Sequence, residues 1–267
     1  VATVVSFHAH PDDESILTGG TLSRAARDGH RVVLVFATRG EHGEVADGVL
    51  GDGETVGQRR EAECVASAEV LGVERVAFLG YHDSGMAGTP ENDAPGSFWQ
   101  APLDEAAGRL AELLREEGAH LLTIYDDHGG YGHPDHIKVH QVGLRAAKLA
   151  GTPRVAEATM NRDHLRRVIE MGREMGVLPQ SDDEVPDVGD ESTFGTPESE
   201  ITTCVDVTDQ LETKRGSMRA HASQIGEQSL FLAMPDEAFA ASFGYEWFIR
   251  HDREPGGEMD ADLLEGL

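Results

Sequence analysis

Cysteine is nearly absent from this chain of 267 residues: Cys64 and Cys204 are the only two, far apart, and no Cys-x-x-Cys occurs. Both lie in apolar periodic segments and are expected as buried thiols rather than a disulfide or a ligand pair, so a metal would have to be held by histidine and carboxylate. Lysine is scarce, three against 19 arginines, and acids outnumber bases 49 to 22, for a net charge of −27. That field repels phosphates and argues against nucleic acid or an anionic membrane as partner. The acid excess is uneven: residues 181–200 carry eight carboxylates and no base, which reads as a solvated surface. No apolar run approaches the roughly 20 residues that a membrane span needs. The N-terminus enters a strand at once, without a basic region or a hydrophobic signal core, so a cytoplasmic protein is expected. No Gly-x-Gly-x-x-Gly follows that strand, which leaves dinucleotide binding with little support.

What the chain does have is alternation. Thr3–Ala9 reads as a buried parallel strand, followed by a helix over Ile16–Arg27 that stops at Asp28-Gly29. Strands are expected at Arg31–Ala37, Arg75–Leu79, Leu121–Tyr125 and Arg154–Thr159, and helices at Thr55–Leu71, Leu103–Glu117, His136–Ala150 and Arg162–Met175. Long polar loops, 38–53 and 80–101, separate some of them. The pattern predicts an α/β fold: a Rossmann-like, doubly wound, mostly parallel sheet over residues 1–178. Residues 179–267 are expected to be a small C-terminal extension of the same domain: a long loop at 179–199, a strand at Ile201–Val207, a helix at Asp209–Gln224, and a strand or packing segment at Ala241–Ile249. The sequence assigns no oligomeric state.

Two polar clusters carry the chemistry. His8-Ala9-His10-Pro11-Asp12-Asp13-Glu14 follows the first strand, and His133-Pro134-Asp135-His136 follows the fourth. Two imidazoles and three carboxylates in seven residues are costly to place at a buried strand end unless something uses them. Ligands of open parallel sheets bind outside the carboxyl ends of the strands. Both clusters, and Tyr81-His82-Asp83-Ser84 after the third strand, fall on that rim. A hydrolytic Zn²⁺ site needs three His/Asp/Glu ligands, an open position, a free carboxylate as general base and a donor for the developing oxyanion. His10 and Asp13 can supply two ligands and a histidine of the second cluster the third. Asp12 then remains as base, and the other histidine as polarising group or acid.

The paired motifs His-Pro-Asp-Asp-Glu and His-Pro-Asp-His, in that order, resemble the PIG-L/LmbE family of zinc-dependent deacetylases, which act on N-acetylglucosaminyl substrates on a Rossmann-like fold. Asp83-Ser84-Gly85-Met86, Gly129-Gly130-Tyr131-Gly132 and Arg219-Ala220-His221-Ala222-Ser223-Gln224 are similar to the family's mycothiol-pathway branch. That branch holds a deacetylase of the N-acetylglucosaminyl-inositol precursor and an amidase of mycothiol S-conjugates. The amidases carry a lysine shortly after the first motif, where this chain has Ser15-Ile16-Leu17-Thr18, which favours the deacetylase. The resemblance implies His10, Asp13 and His136 as zinc ligands, Asp12 as general base, and His133 as the group that stabilises the oxyanion. It further implies Tyr131 at the substrate carbonyl, with Arg60 and Asp83 as contacts to the sugar. The expected partner is a small amino-sugar substrate, and Fe²⁺ suits the same ligands as Zn²⁺.

Blander readings compete residue by residue. The first cluster could be a turn that caps a helix, although a cap needs one polar residue and not five. His136 and His140, four apart, could bind a metal by themselves; His136 is preferred because it leaves the loop at the rim, while His140 lies a turn further on. Arg60 could be a solvated helix residue and Asp83 an ordinary Asx turn. Tyr131, an aromatic among glycines, has no evident core to fill. His8 has the phase of a supporting residue. His42, His82, His120, His164 and His221 belong to no constellation that physics defends. The rival of another class is a non-catalytic sugar-binding Rossmann-like module, which would have no need of a free Asp12 beside a metal.

Overall fold

The computed structural model describes residues 1–45, 48–174, 176, 178, 181, 188, 189 and 194–267. Its strands, β1 (Thr3–His8), β2 (Arg31–Phe36), β3 (Arg75–Phe78), β4 (Leu121–Tyr125), β5 (Arg154–Thr159), β6 (Thr203–Asp206) and β7 (Tyr245–Arg250), form one sheet in the order β3-β2-β1-β4-β5-β7-β6. The first five are mutually parallel; β7 runs antiparallel to both β5 and β6. Strand order reverses between β1 and β4, so the crevice between their carboxyl ends is the switch point where such sheets bind ligands.

β1 is buried along its whole length, as a central strand covered on both faces must be. Val5 and Phe7 pack against one layer of helices, α4 (Leu103–Glu117) and α6 (Pro134–Ala150), through Leu110, Leu114, Val139 and Val142. Val4 faces the other layer with Leu22, Leu34 and Phe248. α3 (Val56–Leu71) opens with a reciprocal Thr55–Gln58 capping box and closes on Gly72, so its boundaries follow from local chemistry.

Three expected elements differ from those observed. The helix at 16–27 is two, α1 (Asp13–Leu17) and α2 (Gly19–Arg27), because the Thr18 hydroxyl turns back to the Glu14 carbonyl at 3.2 Å and two glycines follow. The helix at 209–224 is α8 (Leu211–Ala220), which stops where the His221 side chain is drawn under α1. The segment at 241–249 divides into the end of α9 (Asp236–Phe243) and β7. α7 (Arg162–Glu174) follows β5, and the expected loop at 179–199 lies largely outside the described residues. Cys64 is buried and Cys204 half-buried, both free. Among the described residues no helix is long and apolar enough to cross a membrane.

One buried ion pair ties the last third of the chain to the first. Lys214 of α8 and Glu246 of β7 meet at 2.6 Å, each side chain 1% exposed. Glu246 also accepts the Gly20 and Thr21 amides at 2.8 Å, where α2 begins with unpaired N–H groups. Removing one partner of such a pair leaves an uncompensated buried charge. Glu246→Ala is therefore expected to lower the unfolding free energy by about 3–5 kcal/mol in urea titration; a loss of less than about 1 kcal/mol would mean that Lys214 finds water.

Candidate active site at the carboxyl rim

A directional hydrogen-bond chain prepares the end of β1. Tyr125 donates its hydroxyl to Asp13 Oδ2 at 2.9 Å and accepts the Ala9 amide at 3.1 Å. His8 Nδ1 lies 3.0 Å from the same phenol oxygen and therefore donates, leaving His8 Nε2 to accept from Ser6 Oγ at 2.7 Å. Ser6 in turn pairs with Thr123 across the β1–β4 ladder at 2.5 Å. Burial pushes the His8 imidazole down to about 4, consistent with this neutral tautomer. His8 thus supports Asp13.

Asp13 lies between two imidazoles: its Oδ2 is 3.5 Å from His10 Nδ1 and 3.4 Å from His136 Nε2. Against the cost of burial, His136 and His10 hold its carboxyl well below the usual range. The other nitrogen of His10, Nε2, faces Asp135 Oδ2 at 3.2 Å, and the Ser84 amide donates to that same oxygen. A carboxylate behind a ligating histidine fixes its tautomer. His136 Nε2 is buried with no hydrogen-bond partner. The ligand atoms of His10, Asp13 and His136 all lie within 4.8 Å of one another, and all three residues are buried. An orphaned imidazole nitrogen within a His₂Asp set fits a divalent cation of the Zn²⁺ or Fe²⁺ type. A second grouping, His10, Asp83 and His133, is equally compact. In it Asp83 accepts the Gly85 and His42 amides and His133 Nδ1 accepts the Asp135 amide.

Asp12 stands beside this set with its backbone at φ 104°, the one non-glycine residue at positive φ among the described residues. Its carboxylate does not cap α1, which answers the capping reading of the first cluster. It pairs with Arg60 Nη2 at 3.1 Å. Burial pushes the Asp12 carboxyl up to about 6, while Arg60 pulls the other way. Arg60 also donates to the Gly40 carbonyl at 2.9 Å and to the Pro11 carbonyl, and is 4% exposed. It is neither a solvated helix residue nor in reach of open solvent; its guanidinium holds the Asp12 turn. The Asp12 amide donates to Glu14 Oε2 at 2.9 Å, and Glu14 Oε1 receives His221 Nε2 and Ser67 Oγ, each at 2.6 Å. Against burial, His221 and Ser67 hold Glu14 down at about 2, and Glu14 raises His221.

His133 leads the N-terminus of α6, with its ring centroid 4.7 Å from His10 and 5.1 Å from His136. Burial and those two imidazoles lower it to about 4. Since Nδ1 accepts the Asp135 amide, the neutral ring carries its proton on Nε2, as an oxyanion donor requires. Tyr131 sits on the single turn α5 (Gly129–Gly132), 47% exposed, its ring 5.0 Å from that of His136. Asp83 points inward, 3.5 Å from His10 Nε2 and 5% exposed. The eight residues singled out from the sequence gather around one rim of the sheet, with Arg60 behind the Asp12 turn and the others about His10 and His136. His140 does not join them; it lies against the Tyr125 carbonyl and Glu157. Sequence reasoning passed over Tyr125, Asp135, Glu14 and His221. The polar density of the two motifs signalled Glu14 and Asp135, and only the Arg-Ala-His-Ala-Ser-Gln segment signalled His221.

A Rossmann-like sheet with a His/Asp cluster at the switch point is an architecture that can support metal-assisted hydrolysis. The chain belongs to the PIG-L family: the family model described as "GlcNAc-PI de-N-acetylase" matches residues 5–147. It is 40% identical, over 97% of its length and 95% of the relative's, to a 1D-myo-inositol 2-acetamido-2-deoxy-alpha-D-glucopyranoside deacetylase of Streptomyces avermitilis. Among solved structures it resembles the N,N'-diacetylchitobiose deacetylase of Pyrococcus horikoshii, with TM-score 0.54 and 22% identity, covering 89% of this chain and 72% of that one. It also resembles GalB, the 4-carboxy-2-hydroxymuconate hydratase of Pseudomonas putida, with TM-score 0.58 and 17% identity, covering 97% and 100%. At these identities the structural likenesses show the fold alone.

Gly129 couples the Tyr131 turn to His136. It sits at φ +66°, and a Cβ there would lie 2.6 Å from the Cβ of His136. Gly129→Ala is expected to cost about 1–3 kcal/mol in thermal unfolding through backbone strain and to weaken metal binding about tenfold or more by displacing His136. Unchanged metal affinity, measured by competition with a chromogenic chelator, would show that the helix start absorbs the methyl group.

Proposed function

We propose that this chain hydrolyses the N-acetyl amide of an N-acetylglucosaminyl compound, with the N-acetylglucosaminyl-inositol precursor of mycothiol as leading substrate, releasing acetate and the free amine. The observation that carries this reading is Asp12: a half-buried carboxylate, paired with Arg60 and engaged in no helix cap, held beside the His10/Asp13/His136 donor set. A binding-only module would have no use for it. His10, Asp13 and His136 hold the cation, Zn²⁺ or Fe²⁺. When bound, it polarises the acetyl carbonyl and acidifies a water molecule. Asp12 accepts the proton of the attacking water, for which a carboxyl raised to about 6 is well matched to neutral pH. The Nε2–H of His133 and the hydroxyl of Tyr131 donate to the oxygen on which negative charge develops. The proton taken by Asp12 then leaves with the amine. The similarity over nearly full length to an inositol-linked amino-sugar deacetylase supports the substrate class. Two free cysteines and no disulfide fit a reducing compartment, and the cytoplasm is the proposed location.

The experiment is a screen for acetate and amine release over N-acetylglucosaminyl-inositol, a mycothiol conjugate and simpler N-acetylglucosamine compounds. A chelator should abolish release and Zn²⁺ or Fe²⁺ restore it. Asp12→Ala should keep its metal and lose about 10²–10⁴-fold in turnover, whereas His136→Ala should lose metal and activity together. Near-normal turnover in Asp12→Ala removes Asp12 from the mechanism, and stoichiometric tight metal in His136→Ala overturns the ligand set.

Arg60, which the family resemblance offers to the sugar, directs the two terminal nitrogens of its guanidinium to Asp12, Pro11 and Gly40. A lysine cannot reproduce that fork. Arg60→Lys is therefore expected to lower kcat by about tenfold with little change in KM. A raised KM at unchanged kcat would return Arg60 to direct sugar contact.

A further inference from the structure

We propose that His221, carried by the segment that follows α8, is a positioning residue for Asp12 and acts on it through the Glu14 carboxylate. The inference rests on the reading of Asp12 as the general base. Glu14 is fully buried and its two oxygens have different tasks: Oε2 accepts the Asp12 amide at 2.9 Å, while Oε1 takes His221 Nε2 at 2.6 Å. That amide belongs to the residue at φ 104°, so the bond from Glu14 helps to hold the peptide in the conformation that frees the Asp12 side chain. Ser15 and Ser67 add hydroxyl donors to Oε1. Without His221 the orientation of that oxygen rests on two hydroxyls.

A second observation separates this role from a simple staple. His221 is fully buried, yet its Nδ1 has no hydrogen-bond partner. The one ring hydrogen bond of His221 is therefore the one to Glu14. The same segment already has its own anchor two residues on, where Ser223 gives both its amide (2.9 Å) and its hydroxyl (2.6 Å) to Glu63 of α3. Glu63 lies one turn beyond Arg60, the other residue that grips Asp12. Ser223 thus fastens the segment, and His221 reaches past it to Glu14.

The test compares His221→Ala, His221→Gln and Ser223→Ala in the metal-loaded enzyme. His221→Ala should lose about 10–100-fold in kcat with KM within about twofold of wild type and with metal content unchanged. Gln restores an N–H towards Oε1 and should recover turnover to within about threefold, while Ser223→Ala, which loosens the segment without removing the Glu14 contact, should stay within about threefold of the wild-type kcat. Wild-type turnover in metal-loaded His221→Ala overturns the proposal, and so does an equal loss in Ser223→Ala, which would mark a general loosening. If His221→Ala does not fold, His221→Asn, whose amide is too short to reach Glu14, takes its place. A wild-type enzyme that releases no acetate refutes the deacetylase reading but not this one. Crystal structures of the Ala and Gln variants then decide it: Asp12 leaving the left-handed region only in Ala supports the proposal, and Asp12 unmoved in both overturns it.

Discussion

The site depends on one strained peptide. A non-glycine residue at φ 104° is costly, of order 1–3 kcal/mol, and persists only where its surroundings over-determine it. At Asp12 they do so from three directions. Arg60 grips the carboxylate and the preceding carbonyl, Glu14 accepts the amide, and the next residue, Asp13, is fixed by the His10 amide and the Tyr125 hydroxyl. With an ordinary backbone here, adjacent carboxylates would be free to cap the short helix that follows. The strain separates their duties: Asp13 turns into the imidazoles and Asp12 turns to Arg60. Consecutive residues can therefore serve as ligand and base.

Topology brings the second motif to that peptide. Because β1 and β4 are neighbours from which the connections run in opposite directions, the residues just after each strand share a crevice without covering helices. The buried relay from Thr123 through Ser6, His8 and Tyr125 to Asp13 runs across this same strand pair. The sheet thus sets the spacing of the two motifs and also the hydrogen bonding of the carboxylate that joins them. GalB, a hydratase on the same fold, shows that the scaffold does not choose the reaction. The choice lies with which side chains the rim presents.

Much of this was legible before any coordinates. Apolar runs ended by glycine gave the five parallel strands and the helices between them, because each boundary is written locally in capping and turn chemistry. His10, Asp12 and Asp13 drew attention because charge at a buried strand end needs a use, whereas the roles proposed for His133, His136, Tyr131 and Asp83 came from the resemblance to the PIG-L/LmbE family. What the sequence hid depends on contacts between distant residues. Nothing near Arg60 says that its fork points back at Pro11 and Asp12 rather than outward to a sugar. His221 looked idle because its partner lies 207 positions away. The break at Thr18 was missed because a threonine inside an apolar periodic stretch reads as helix until its hydroxyl is seen bonded to Glu14.

The C-terminal third changes most in meaning. As a sequence it reads as an acidic extension appended to a complete Rossmann-like core. In the fold, β7 inserts between β5 and β6, Glu246 closes the start of α2, and Lys214 stands buried against it. α8 then delivers Ser223 to Glu63 and His221 to Glu14, while Arg60 and Glu63 sit a turn apart on α3. A buried ion pair is a poor source of net stability, since desolvation offsets most of the attraction. Contacts such as that of His221 with Glu14, behind one strained aspartate, are better explained by geometry than by stability. They fix the distance between the last third of the chain and the peptide on which the proposed chemistry turns.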